Sequence, residues 1–231
     1  MCASLPTLAL DTAAPSPNLA VLEGAEPTAE LSLAPRPNAG RRVLEAAHAL
    51  MQDEGVGSNE IERSLVGVGP GGFTGLRICS APALCLPQTL GVPCLGASSL
   101  GALALSITDV APSAATVVPV LDARRGEVFA AAYGVRPAGL LDEQVSPCAL
   151  APDALEGRVD RIGAESVVVG GVGVGALSGA LSAHPRVLVS GPHAAPRAAN
   201  LARLVDLGHE LPVVPVYARL PDAEQKRKTG A

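Results

Sequence analysis

One pattern occurs twice in this chain and limits how it can fold more than any other. Leu8-Ala9-Leu10 runs into Asp11-Thr12, turns through Pro15-Ser16-Pro17-Asn18, and resumes as the apolar run Leu19–Leu22. Val118–Leu121 likewise runs into Asp122-Ala123, turns through Arg125-Gly126, and resumes over Glu127–Tyr133. Short apolar runs bounded by such turn residues read as strands. Similar element orders surround both copies. Either a lobe of about 105 residues has been duplicated, or so simple a pattern has recurred by chance.

In the first copy the strands fall at Leu5–Leu10, Leu19–Leu22 and near Ala29–Leu33, before Pro35-Arg36-Pro37-Asn38 breaks the chain. Val43, Leu44, Ala47, Leu50 and Met51 then recur at helical spacing over 39–54, and Gly55 and Gly57 stop that helix. A strand at Ser64–Val68 leads through a glycine-dense turn to a helix from Phe73 to about Leu90. A strand at Val92–Leu95 and a helix from Ser98-Ser99 to about Ser106 follow. The second copy predicts strands at Thr116–Leu121, Glu127–Tyr133, Leu140–Val145, Ser166–Val169 and Val187–Ser190. Its helices fall at Pro152–Leu155, Ala176–Ala183 and Ala194–Leu207. This order predicts an α/β layer fold, with an N-terminal lobe at 1–107 and a C-terminal lobe with a last helix and a basic tail at 108–231.

Composition excludes some functions. With 48% apolar residues and mean hydropathy +0.34, the chain has ample material for a core. It has two Phe, two Tyr and no Trp, a poor platform for stacking single-stranded bases. Net charge is −5, and Lys226-Arg227-Lys228 is the only basic run. Clustered cations are what hold a phosphate backbone, so the chain alone is not expected to grip nucleic acid. Five cysteines without a C-x-x-C pair, and no positively charged leader before Asp11, point to a reduced cytoplasmic protein. The uncharged run 78–108 is interrupted by Pro82, Pro87, Gly91, Pro93, Gly96 and Gly101, so it reads as core and no membrane span is expected.

The stretch Gly69-Pro70-Gly71-Gly72-Phe73-Thr74-Gly75-Leu76-Arg77-Ile78 could present backbone N–H groups to an anion, or serve only as a tight strand-to-helix connection. No Gly-Lys-Ser/Thr closes it as a Walker loop. Gly171-x-Gly173-x-x-Ala176 fits a loose dinucleotide fingerprint, but Ser190-Gly191-Pro192-His193 offers no acid for a ribose, so a plain glycine turn explains it as well. His48, His184, His193 and His209 are scattered without metal-ligand spacing, and no G-x-S-x-G elbow is present. Asp11, Asp122 and Glu127 suit general bases or metal-holding acids, and equally acids that cap a turn at a strand end. The helix behind the first glycine stretch carries Ile78, Ala81, Ala83, Leu84, Leu86 and Leu90 around its axis. A helix apolar all round is covered on two sides, which calls for a second layer or a partner subunit.

Several segments together resemble the TsaB (YeaZ) family. They are Leu8-Ala-Leu-Asp-Thr-Ala13, Gly69–Ile78, Gly91-Val-Pro93 with Gly96-Ala-Ser98-Ser99-Leu100, Leu121-Asp-Ala-Arg-Arg-Gly-Glu-Val-Phe129 and Pro215-Val-Tyr-Ala-Arg219. The resemblance implies a duplicated actin-like (ASKHA), ribonuclease-H-like fold of two lobes. It implies a non-catalytic role in making threonylcarbamoyladenosine at position 37 of tRNA. There such a protein binds a metal-holding catalytic paralogue (TsaD-like), and a small ATPase (TsaE-like) completes the complex; tRNA is met only through that complex. The helices at 39–54 and from Phe73 would form the contact, through Val43, Leu44, Ala47, Phe73, Thr74, Leu76, Arg77, Ser80, Ala81 and Leu84. The same helices would support a homodimer when the partner is absent. Asp11, Thr12, Gly71, Gly72 and Asp122 would be vestiges of a nucleotide site, binding ATP or ADP weakly at most, with no cofactor required and no metal.

Where the family usually has Ser, this chain has Gly72, and where it usually has Gly, this chain has Cys79. It lacks the His often found near Ala39, and Pro82 removes a backbone donor inside the predicted helix. An ATP-dependent phosphotransferase of the same superfamily, using Asp11 and Asp122, is the alternative. A peptidase has no nucleophile or ligand set behind it.

Overall fold

The computed structural model describes residues 6–35, 39–72, 91–111, 113–136, 141–177, 181, 183–189 and 195–218. Three antiparallel strands, β1 (Pro6–Asp11), β2 (Asn18–Glu23) and β3 (Glu26–Ser32), precede helix α1 (Ala39–Asp53). Then come β4 (Arg63–Gly67), β5 (Cys94–Ala97) and helix α2 (Ser99–Val110). The second half repeats the series with β6 (Thr116–Arg124), β7 (Glu127–Val135), β8 (Leu141–Leu150), α3 (Pro152–Ile162), β9 (Val167–Gly170), β10 (Val187–Val189) and α4 (Ala198–Asp206).

The first sheet has the order β3-β2-β1-β4-β5, and the second, read from its β8 edge, has the order β8-β7-β6-β9-β10. In each, the central strand pairs antiparallel with the strand after it and parallel with the strand after the first helix. The matching order and strand directions make the chain a duplicated two-lobed α/β structure of the actin-like, ribonuclease-H-like kind.

The lobes are interleaved. α2 comes from the first half but packs on β6 and β7 of the second sheet; α4 comes from the second half but packs across β1, β2, β3, β4 and β5 of the first. Both helices lie between the sheets in one core that joins Ala9, Leu22 and Leu65 to Leu121, Phe129 and Val168. This position explains why every residue of α2 from Ser99 to Thr108 is buried. The outer face of the first sheet (Leu8, Leu10, Leu19, Val21) is covered by Val43, Ala47 and Met51 of α1. The outer face of the second is covered by Leu155 and Val159 of α3. The boundary expected at residues 107 and 108 falls inside α2.

Polar groups lock the middle layer. Asn200 of α4 donates through Nδ2 to the Ala102 carbonyl and to Ser106 Oγ, each at 3.0 Å, and Arg203 pairs with Asp109 at 3.0 Å. Ser98 caps α2 by accepting from the Gly101 N–H at 3.1 Å, and its hydroxyl lies 3.5 Å from that of Tyr133 on β7. Burial pushes the Tyr133 phenol up to about 12, with the Ser98 hydroxyl pulling the other way and Glu143 adding to the rise.

Several boundaries differ from the sequence expectation. β3 starts at Glu26, not Ala29, because Gly24-Ala25 closes a two-residue hairpin. β8 continues past Val145 to Leu150 through Pro147, which an edge strand tolerates. α3 reaches Ile162 instead of stopping at Leu155, because Leu155 and Val159 repeat one turn apart and both are buried. α4 begins at Ala198, not Ala194; the Asn18 Oδ1 of β2 accepts from the Ala198 N–H at 2.5 Å and supplies the cap that Arg197 does not. Of the helix expected at 176–183, the described residues Leu181 and Ala183 are helical, behind a 3-10 turn at Val174–Ala176.

Candidate functional site

Asp11 and the first glycine cluster meet at the ends of the parallel strands β1 and β4, where ligands of open α/β sheets bind. Asp11 is 2% exposed. Its Oδ1 accepts from the Ala13 N–H at 2.8 Å, whereas Oδ2 has no hydrogen-bond partner. The Ser99 hydroxyl stands beside the carboxyl and lowers its pKa. Its oxygen also accepts from the Gly69 N–H at 3.2 Å, while the Ser99 N–H donates to the Gly69 carbonyl at 3.0 Å. Burial pushes the Asp11 carboxyl up to about 6, against the pull of Ser99 and of the Ala13 amide. Thr12 is buried next to it.

The glycine cluster is used for close packing. A Cβ on Gly71 would stand 2.6 Å from both the Cα and the Cβ of Ala13, and the Gly72 N–H donates to the Ala13 carbonyl at 3.3 Å. Only glycine lets the two loops approach so closely. Gly72 itself is exposed, and a Cβ there would meet nothing.

The second lobe repeats the arrangement with a change. Gly173 lies against the end of β6, where a Cβ would come within 2.7 Å of the Leu121 carbonyl carbon, and its N–H donates to the Val120 carbonyl at 3.0 Å. Asp122 is not buried like Asp11. Its side chain is 40% exposed, and its Oδ1 accepts from the Arg124 N–H at 2.7 Å, which caps the hairpin. That bond is the turn-capping role left open from the sequence. The hairpin passes through Arg124, Arg125 and Gly126, all in the left-handed region at φ 64°, 57° and 75°.

The residues expected at a partner interface separate. Val43 and Ala47 are turned inward, buried against β1 and β2 in the outer-face core. They support α1 and are not on its outward face. Leu44 is 49% exposed and does lie on that face, with Arg41, Glu45, His48 and Gln52. Phe73, Thr74, Leu76, Arg77, Ser80, Ala81 and Leu84, and the helix expected from Phe73 to Leu90 with Pro82, lie outside the described residues, as does the basic run at 226–228.

Sequence reasoning missed three neighbours of Asp11: Ala13, Gly67 and Ser99. Ser98-Ser99 was legible as a helix start, but the bonds between Ser99 and Gly69 join residues 30 positions apart and had no local signal. Among the described residues no three His, Cys, Asp or Glu side chains stand where they could hold a metal ion, and no helix is long and apolar enough to cross a membrane.

Comparison with known proteins places this geometry. The family model TsaD, tRNA N6-adenosine threonylcarbamoyltransferase, matches residues 37–161, more than half of the chain. The tRNA threonylcarbamoyladenosine biosynthesis protein TsaB of Escherichia coli is 29% identical over 163 residues, covering 71% of this chain and 70% of that protein. The Bacillus subtilis protein of the same name is 33% identical over 140 residues, covering 61% of this chain and 59% of that one. A Pseudomonas aeruginosa crystal structure, described as an uncharacterized protein with similarity to peptidase YeaZ, matches with a TM-score of 0.73 and 27% identity, over 93% of this chain and 100% of that one. The strand-end motifs, the repeated sheet order and these relatives agree, and the chain belongs to the TsaB (YeaZ) family.

Proposed function

We propose that this chain is a non-catalytic subunit of the machinery that forms N6-threonylcarbamoyladenosine in tRNA, binding and activating a threonylcarbamoyltransferase of the TsaD family. The observation that carries the reading is the contact of Gly71 with Ala13, repeated by Gly173 at the end of β6. In both lobes a glycine of the loop that could cradle a phosphate, Gly71 or Gly173, is packed on a strand end, which favours backbone approach over ligand binding at those two positions. The names of the bacterial relatives support a place in this pathway, and the match of residues 37–161 to the TsaD model fits a subunit that pairs with a related transferase. A small ATPase completes the assembly, and tRNA is reached through the complex; a net charge of −5 suits a protein that does not hold RNA alone. The outward face of α1, with Leu44 exposed on it, is the described part of the surface that meets the transferase.

Co-purification of the tagged chain with a TsaD-family transferase, followed by light scattering on the mixture, tests this. A stable complex supports the reading; two separate species at micromolar concentration contradict it.

A phosphotransferase reading draws on one observation, the buried Asp11 carboxyl held up to about 6, which is how a general base is often poised. Calorimetry with ATP separates the two. Tight binding with phosphate release by the isolated chain favours the enzyme, and no heat favours the subunit.

A further inference from the structure

Asp11 has no part in a surface that merely docks a partner, yet its surroundings are specific. It ends β1 with one carboxylate oxygen held by the Ala13 N–H and the other without a partner. Gly67 of β4 comes so close to Oδ2 that a Cβ there would overlap it, and that same Cβ would stand 2.7 Å from Ser99 Oγ. Ser99, the first residue of α2, is bonded twice to Gly69. One buried carboxyl is thus wedged among β1, β4, the Gly69–Gly72 turn and the start of α2.

Among the described residues the neighbours offer no charge. Thr12 follows Asp11 on its own strand, and Asn18 faces it across β2 with its amide committed to Ser32 and to Ala198. β4 presents Gly67, and α2 presents Ser98 and Ser99. Among the described residues only burial, the Ser99 hydroxyl and the Ala13 amide act on the carboxyl. An ionised carboxylate in such a place lacks water, and no described residue supplies a counter-charge. The strands cannot yield without breaking the sheet, but the turn can. It is held at its base by the two Ser99 bonds and at its tip by the 3.3 Å bond from the Gly72 N–H to the Ala13 carbonyl.

We propose that Asp11 is a proton-operated latch on the Gly69–Gly72 turn: with the carboxyl neutral the turn is seated on Ala13 and Ser99, and with the carboxyl ionised the turn lifts and lets water reach Oδ2. Burial moves this event from the ordinary carboxylate range to about 6, where mild acidification operates it. The latch goes beyond the assembly reading and does not depend on it.

Amide spectra of the isotopically labelled full chain from pH 4.5 to 8 test the latch without any partner. The expected result is that the Gly69, Gly71 and Ser99 amides change together with one midpoint near 6, and that their hydrogen exchange, corrected for its intrinsic pH dependence, speeds about tenfold above it. Asp11→Asn abolishes the shared transition. Ser99→Ala keeps the carboxyl, so the transition stays readable if Asp11→Asn does not fold, and its midpoint differs from the parent's because the hydroxyl acts both on the carboxyl and on the seated turn. Absence of a shared transition, a midpoint near 4, or its survival in Asp11→Asn overturns the proposal.

Discussion

Gly71 and Ala13 touch so closely that a Cβ on Gly71 would stand 2.6 Å from the Cα of Ala13. Gly71→Ala therefore forces the two strand-end loops apart, and overpacking of this kind costs about 1–3 kcal/mol. Gly173→Ala meets the β6 backbone at 2.7 Å and is expected to cost a similar amount, whereas Gly72→Ala meets nothing and is close to neutral. Thermal unfolding of the three variants checks the order.

The pH dependence of stability follows from Asp11. In the folded chain it keeps its proton to about pH 6, and in the unfolded chain it releases it near 3.8. The native state binds more protons between those values, so stability falls as pH rises through that window and the loss is complete above it. At about 1.4 kcal/mol per unit the total is on the order of 3 kcal/mol. Asp11→Asn is expected to be more stable than the parent at pH 7.5 and equal to it at pH 4, read by urea unfolding at both.

Asn200 ties α4 to α2 from a position 1% exposed, with two donated bonds and one accepted from Arg203. Asn200→Ala removes these three bonds from a buried position and is expected to cost about 1–3 kcal/mol, although Ala102, Ser106 and Arg203 each keep another partner. Arg41, 76% exposed and 3.6 Å from Glu45, offers the contrast. Arg41→Ala should change stability by no more than about 0.5 kcal/mol. Urea titration of both variants distinguishes a locked inter-lobe layer from a loose one.

The two adjacent apolar residues of α1 have separate roles. Leu44→Glu is expected to leave the melting temperature unchanged and to weaken transferase binding at least tenfold, because Leu44 faces outward. Val43→Ala is expected to cost on the order of 2 kcal/mol of stability, because Val43 is packed on the sheet. Melting curves and binding titrations on both variants are sufficient.

The sequence was most legible where a signal is local. The two strand–aspartate–turn–strand units, the glycine clusters that follow β4 and β9, and the helical spacing of Val43, Ala47 and Met51 all correspond to elements of the structure. Periodicity could not say which of the apolar residues of α1 faces the sheet and which faces outward, since Val43 and Leu44 differ only in what stands opposite. The start of α4 was misplaced because its cap, Asn18, comes from a strand 180 residues earlier. The difference between Asp11 and Asp122 was equally hidden. Both end a strand before a turn, but Ser99 and Gly67 enclose the first, and the second caps an open hairpin.

The central claim is that this chain acts by enabling a transferase and has no chemistry of its own. The most direct test is threonylcarbamoyl transfer to tRNA, reconstituted with a TsaD-family transferase and its small ATPase, with this chain present, absent, or alone. Modification that requires the chain together with the transferase, and none from the chain alone, is the predicted result. Equal modification without the chain, or modification by the chain alone, would contradict it.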